Sequence, residues 1–100
     1  MEFAIFLQRI DDRPLTHEVV SAHVAGLRHL DEQGRLIAAG PLADGTGGLV
    51  LAHFDSQDEA EAFARSDAFV AHGYESFEVQ PWMWANRGNG YLLQDGAPQG

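Results

Sequence analysis

Histidine and carboxylate are the side chains of this sequence best suited to chemistry. The 100 residues include five histidines and 15 acidic residues but no cysteine, and all six basic residues are arginine. The absence of cysteine removes disulfides, thiolate nucleophiles and zinc–thiolate sites together. Because an imidazole titrates near neutral pH, the chemistry that remains is proton transfer between histidine and a carboxylate.

His23 lies inside an apolar stripe. On a helical wheel, its position falls between Leu27 and Leu30 rather than at the edge of the stripe. One interpretation is a core histidine whose hydrogen bonds are satisfied. The other is a general acid or base that faces a cleft. The spacing alone leaves both open.

The other histidines do not form a cluster with His23. His17 and His29 point about 120° away from it on either side of the same helix, so the three cannot share a metal ion. His53 falls on a strand and His72 near a turn, where we expect exposed or half-buried side chains. We therefore predict neither a metal nor another cofactor.

Asp67 is the candidate partner of His23. It lies in the run Ser66–Val70, where it could cap a short helical turn by accepting backbone N–H groups. A carboxylate that caps a turn can also hold an imidazole in one tautomer, because an orienting group must itself be fixed. The sequence leaves open whether the two residues meet.

Two further residues, Arg9 and Trp82, are predicted to line a substrate pocket. An inward-facing Arg9 would offset the repulsion between the acidic chain and an anionic substrate. Trp82 and Trp84 would share one face of the last strand, where they wall an aromatic pocket or fill a dimer core. The glycines at 45–48 join two strands and precede no helix, which favours a turn over a phosphate-binding loop.

The elements that must position these residues follow from periodicity and turn signals. Apolar and β-branched runs predict strands, and stripes of helical period that begin at Thr16 and at the Ser56–Glu59 capping box predict helices. The predicted order is strand 2–10, helix 16–34, strands 35–42 and 48–54, helix 56–67 and strand 75–84. This order predicts an α+β, ferredoxin-like βαββαβ fold, with an antiparallel sheet and two helices on one face. The domain would span residues 1–84.

Two strands are apolar on both faces, which two helices cannot cover. Phe3, Ile5 and Leu7 alternate with Ala4 and Phe6 in the first strand. We therefore predict a homodimer in which two sheets pack face to face. The tail 85–100 is expected to be loosely ordered, with residues 91–93 docked on the partner subunit or part of a disordered end.

Charge and hydropathy exclude several partners. The net charge is −9 and no basic stripe exists, so nucleic acid and anionic membranes are poor partners. The apolar run Phe3–Leu7 is too short and wrongly flanked for a signal peptide or a membrane span. We expect a cytoplasmic protein that binds a small organic substrate.

Several short motifs, in order over residues 3–84, resemble those of the YciI-like (YCII-related) family. They are His23-Val24-Ala25-Gly26-Leu27, Ala39-Gly40-Pro41-Leu42, Ser56-x-x-Glu59-Ala60, Ser66-Asp67-Ala68-Phe69-Val70 and Val79-Gln80-Pro81-Trp82. The resemblance implies a dimeric α+β barrel, similar in architecture to muconolactone isomerase, with a histidine and an aspartate paired in a cleft.

In this sequence the resemblance assigns that pair to His23 and Asp67. The resemblance also implies a serine that lines the substrate pocket, and this serine corresponds to Ser56, although its capping role already accounts for it. Ala68 replaces the common proline after the aspartate. One branch of the family looks like dehydrochlorinases of hydroxylated aromatic rings that use the pair without a metal.

Three functions remain open at this stage. The first is a lyase, isomerase or dehydrochlorinase in which His23 transfers a proton and Asp67 orients it. The alternative is a non-catalytic binding or interaction dimer in which the pair is a structural hydrogen bond. A cofactor-free or haem-binding monooxygenase is the third, and His23 would be its sole candidate haem ligand.

Overall fold

The structure, a computed structural model, describes residues 1–93. Each predicted element is present, with bounds that differ by one or two residues. The elements in chain order are β1 (Glu2–Arg9), α1 (His17–Glu32), β2 (Leu36–Pro41), β3 (Gly47–His53), α2 (Gln57–Ser66), α3 (Ala68–Ala71) and β4 (Glu75–Trp82). The predicted α+β class and βαββαβ order are confirmed.

The four strands form one antiparallel sheet in the order β2-β3-β1-β4. Alternate residues of β1 face the helices, and Phe3, Ile5 and Leu7 are almost fully buried there. They pack in one core with Leu30 of α1 and with alanines of α2, so both long helices lie on the same face. This apolar layer holds α1 at a fixed distance from the sheet.

Both long helices begin at side-chain caps. The Thr16 hydroxyl accepts from the Val19 N–H at 3.1 Å, and the Ser56 hydroxyl accepts from the Glu59 N–H at 3.1 Å. The Glu59 carboxylate pairs with Arg35 instead of returning to the cap. The serine half of the predicted capping box is therefore formed, and the glutamate ties α2 to the start of β2.

Glycine is required at the start of β3. A Cβ on Gly47 would lie 1.9 Å from the Leu7 carbonyl oxygen, so no larger residue fits without moving β1. The neighbouring turn ends at Gly45, whose φ of 76° is unfavourable for other residues. The predicted glycine-rich turn is thus what allows β3 to approach β1 closely.

The face of the sheet opposite the helices, which we call the open face, carries the second apolar set of the strands. It includes Ala4, Phe6, Leu51 and Trp82, which the strand register places on the same side. Phe6 is 46% exposed at the centre of this face. The two-sided apolar pattern of the sequence therefore leaves an apolar surface on this chain.

The last described segment forms 3₁₀ turns over Arg87–Leu92 rather than a strand. The Asn86 and Asn89 side chains cap each other's backbone N–H groups, which fixes the first of these turns. Docking of this segment on a partner remains a prediction, and the part of the tail at 94–100 lies outside the described residues. In the described part of the chain, no helix is long and apolar enough to cross a membrane.

Candidate active site

A cavity of about 500 Å³ lies between α1 and one end of the sheet. At that end β1 and β2 finish and β3 and β4 begin. The described residues that line it are almost all apolar or glycine, and three carry polar side chains: Arg9, His23 and Glu75. An apolar cavity with a few convergent polar groups is the usual form of a small-molecule site.

The apolar stripe of α1 serves both the core and this cavity. Val19 and Leu30 are buried, whereas Val20 and Val24 are 37% and 40% exposed because they line the cavity. His23 lies among the cavity-lining residues. A histidine inside an apolar stripe is thus explained here by a cavity wall rather than by a packed core.

His23 and Asp67 form a short hydrogen bond. The distance between His23 Nδ1 and Asp67 Oδ1 is 2.5 Å, and their side chains are 14% and 5% exposed. The imidazole also stacks on Phe69, with ring centroids 4.1 Å apart and planes inclined by 20°. The ring is therefore held at its edge and across its face.

Asp67 is itself fixed by the backbone around it. Its Oδ2 accepts from the Phe69 N–H at 3.0 Å, which caps α3, and its own N–H donates to carbonyls at the end of α2. These bonds hold the turn although Ala68 replaces the proline of the family pattern. The residue therefore caps the turn and binds His23 at the same time, so the two interpretations open at the sequence level coexist.

This geometry sets the tautomer of His23. A carboxylate oxygen accepts hydrogen bonds, so Nδ1 carries the proton in the bond to Asp67. The neutral ring then has its lone pair on Nε2, which makes no hydrogen bond to the described part of the chain. A lone pair on an imidazole that lines a cavity is placed to accept a proton from a bound molecule.

Glu75 is a site residue that the sequence interpretation missed. It is 6% exposed, and its Oε1 is buried with no hydrogen-bond partner among the described residues. Burial raises the pKa of its carboxyl above the ordinary value, and Asp67 raises it further, whereas His23 and Arg9 oppose the shift. The signal was present, because strict alternation in β4 places Glu75 on the same face as Phe77 and Val79.

We predict that Glu75→Gln makes the protein more stable than wild type at neutral pH. Burial raises the pKa of Glu75 in the folded protein, so folding favours its protonated form. The stability of wild type is therefore highest below the unfolded-state pKa of about 4.3, and it falls as the pH rises through the folded-state pKa. The advantage of the variant in Tm should therefore grow as the pH rises above the unfolded-state pKa of about 4.3.

Glu32→Gln, which removes an exposed carboxylate that forms no ion pair with the described residues, serves as the control for that experiment. Thermal unfolding followed by circular dichroism gives Tm for all three proteins at each pH. Parallel Tm curves for wild type and Glu75→Gln would contradict the buried-carboxyl interpretation.

The other predicted pocket residues lie in different places. Arg9 lines the cavity, but Ser56 and Trp82 do not. Ser56 is committed to the cap of α2, and the register of β4 turns Trp82 to the open face. A place for either residue in a substrate site stays a prediction. Among the described residues, no three His, Asp or Glu side chains are grouped in a way that could hold a metal ion.

Comparison with known proteins gives relatives over most of the chain. The YCII-related domain family matches residues 1–83. Protein YciI of Escherichia coli is 36% identical over 94 residues, which cover 82% of this chain and 96% of that protein. An uncharacterised protein, YjpA of Bacillus subtilis, is 34% identical over 65 residues, or 65% of this chain and 76% of its own.

A solved structure shares the fold. It is a 5-chloro-2-hydroxyhydroquinone dehydrochlorinase from Burkholderia phenoliruptrix AC1100 in complex with 2,5-dihydroxybenzoquinone. The match has a TM-score of 0.66 and 26% identity, and it covers 83% of this chain and 94% of the other. The family match over residues 1–83 and the identity to YciI confirm the resemblance seen in the sequence motifs. This chain belongs to the YCII-related (YciI-like) family.

Proposed function

We propose that this protein is a small-molecule acid–base enzyme in which His23 transfers the proton and Asp67 positions it. The observation that carries the proposal is the 2.5 Å bond from Nδ1 to Asp67, which leaves the Nε2 of this cavity-lining ring without a hydrogen bond to the described residues. A positioned general base of this kind contributes about 100- to 10,000-fold to a reaction rate. Asp67 does not line the cavity, so its role is to orient the ring and stabilise the imidazolium.

The substrate class we propose is a hydroxylated aromatic or quinonoid ring. The solved relative acts on a chlorinated hydroxyquinol and is seen with a dihydroxyquinone. The cavity of about 500 Å³ is in the usual range for small ligands. Its walls, which include Val20, Val24 and Phe69, offer apolar contacts to such a ring.

Dehydrochlorination of such a ring requires proton transfers at defined atoms. When a chlorinated trihydroxybenzene loses HCl, two hydroxyl protons leave their oxygens and two carbonyl groups form. One proton is added to the carbon that carries chlorine, and the C–Cl bonding pair leaves with chloride. The electrons balance without an external oxidant. Nε2 of His23 would accept a hydroxyl proton and return a proton to the ring carbon.

The test is release of chloride from 5-chloro-2-hydroxyhydroquinone by the purified protein. Release above the rate in buffer, together with formation of a hydroxybenzoquinone, supports the proposal. A rate equal to that in buffer excludes this substrate. A screen of lactones and other enolisable rings then tests the wider class of proton-transfer reactions.

We also propose that the chain acts as a homodimer, joined through the open face of the sheet. The support is an apolar surface that the chain's own helices leave uncovered, with Phe6 at its centre. The family resemblance described above also implies a dimeric α+β barrel, in which the sheets of two subunits pack face to face.

Phe6→Asp is expected to shift the protein from dimer to monomer at micromolar concentration. The change places a charge where two apolar sheets would meet, and a charge buried without a partner is strongly unfavourable. Sedimentation velocity measures the mass, which should be twice 10.9 kDa for wild type and 10.9 kDa for the variant. Ala62→Asp, on the exposed side of α2, is the control and should remain dimeric. A monomeric wild type would contradict the proposal.

A further inference from the structure

Two buried polar atoms without partners lie at the same end of the cavity. They are Arg9 Nε and Glu75 Oε1, and neither makes a hydrogen bond to the described residues. Arg9 and Glu75 face each other across β1 and β4 as register partners, and both line the cavity. Buried polar groups are nearly always paired in folded proteins, so two such atoms in one place require an explanation.

The two side chains are neighbours that do not pair with each other. No guanidinium nitrogen of Arg9 lies within the 4.0 Å that defines an ion pair with Glu75. The guanidinium is held elsewhere, because its Nη2 donates to the Arg13 carbonyl. Arg13 in turn donates to the Gly73 carbonyl at 2.6 Å and stacks on Tyr74, which precedes β4. Arg9 is thus anchored by the loop before α1, and its Nε–H is left for a ligand.

We propose that Arg9 and Glu75 form a second polar subsite, which binds a ring hydroxyl of the substrate while another part of the ring lies at His23. A hydroxyl fits because it accepts from the Arg9 Nε–H and donates to the Glu75 carboxylate at the same time. A carboxylate substituent can only accept, and it would meet the negative charges of Glu75 and Asp67. This inference rests on the proposed function, since it assumes a ring substrate.

The electrostatics of the cavity agree with this selection. Glu75 is surrounded by Arg9 on β1, His23 on α1 and Asp67 at the start of α3. Burial raises the pKa of its carboxyl, so when it is protonated it can donate to a carbonyl instead. The same subsite therefore accommodates the hydroxyl of a quinol and, when Glu75 is protonated, the carbonyl of the corresponding quinone, whereas the ionised form of Glu75 disfavours an additional anion.

The test compares three probe ligands that differ at one position of a phenol ring: hydroquinone, phenol and 4-hydroxybenzoate. Calorimetry or NMR titration gives Kd for each at neutral pH. We expect wild type to bind hydroquinone roughly 10-fold more tightly than phenol, from the added hydrogen bonds, and 4-hydroxybenzoate less tightly than hydroquinone.

Two variants and a control sharpen the result. Glu75→Gln should lose the discrimination against 4-hydroxybenzoate, because the amide carries no charge and can donate to a carboxylate. Arg9→Met should lose the preference for hydroquinone over phenol. Glu59→Gln, which is not among the cavity-lining residues, should leave all three Kd values unchanged.

The subsite is overturned if wild type binds hydroquinone and phenol equally, if Glu75→Gln keeps the discrimination, or if none of the probes binds. Equal binding would mean that the ring hydroxyl does not reach the two buried atoms. The titrations need no turnover, so they are independent of chloride release. If wild type prefers hydroquinone to phenol but releases no chloride, the subsite is supported and the proposed reaction is excluded. If it releases chloride but shows no such preference, the reaction is supported and the subsite is excluded.

Discussion

His23→Gln is expected to lower kcat for chloride release by about 100- to 10,000-fold. Glutamine can still donate a hydrogen bond to Asp67, so the buried carboxylate keeps a partner, but an amide cannot take up a proton near neutral pH. KM should change much less than kcat, because the base acts in the transition state and contributes little to binding the ring. Initial rates over a range of substrate concentration separate the two.

The same variant distinguishes catalysis from a structural hydrogen bond. If the pair is only structural, His23→Gln keeps the wild-type kcat. His23→Ala should then lower the free energy of unfolding by about 1–3 kcal/mol, because Asp67 loses its buried partner. A variant that retains Tm and loses turnover assigns His23 to the reaction, and one that retains both excludes it.

Asp67→Asn is expected to produce a comparable loss of kcat, about 100- to 10,000-fold, with little change in stability. The Phe69 N–H requires an oxygen acceptor at 3.0 Å, so the asparagine carbonyl takes the place of Oδ2. Its NH₂ group then faces His23 and donates to Nδ1. The imidazole is driven to the other tautomer, with the proton on Nε2, where it cannot accept a proton from the substrate.

Asp67→Ala is the matched comparison for this prediction. It removes the cap of α3 and the partner of His23 together, so we expect a loss of about 2–4 kcal/mol in the free energy of unfolding. Chemical denaturation measures this loss. Asp67→Asn should keep most of the stability, since its oxygen still caps the turn. Full activity in Asp67→Asn would contradict the positioning role of this carboxylate.

The fold could be predicted from the sequence because its signals are local. Alternation in the strands, the helical stripe that contains Leu27 and Leu30, and side-chain caps at Thr16 and Ser56 each depend on neighbouring residues. The apolar character of both strand faces also indicated the open face. These patterns fix which side of each element is buried, and the order of the elements then restricts the topology.

The site could be predicted only in part, because its contacts join distant segments. His23 and Asp67 are 44 residues apart, and no local pattern states that they touch. Glu75 at the start of a strand resembles an ordinary exposed charge until Phe77 and Val79 define the face that it shares. For Trp82 the sequence left a pocket wall and a dimer core open, because only the register of β4 shows that this side chain lies on the open face.

Nε2 of His23 is proposed to be the proton acceptor inside the ligand cavity. Heteronuclear NMR of the imidazole nitrogens tests it directly, in wild type with and without hydroquinone. We predict that in the neutral ring Nδ1 carries the proton and Nε2 is unprotonated, and that the Nε2 signal shifts when hydroquinone binds. A proton on Nε2 in the free protein would contradict this role of His23. So would imidazole nitrogen signals whose chemical shifts do not change when hydroquinone is added.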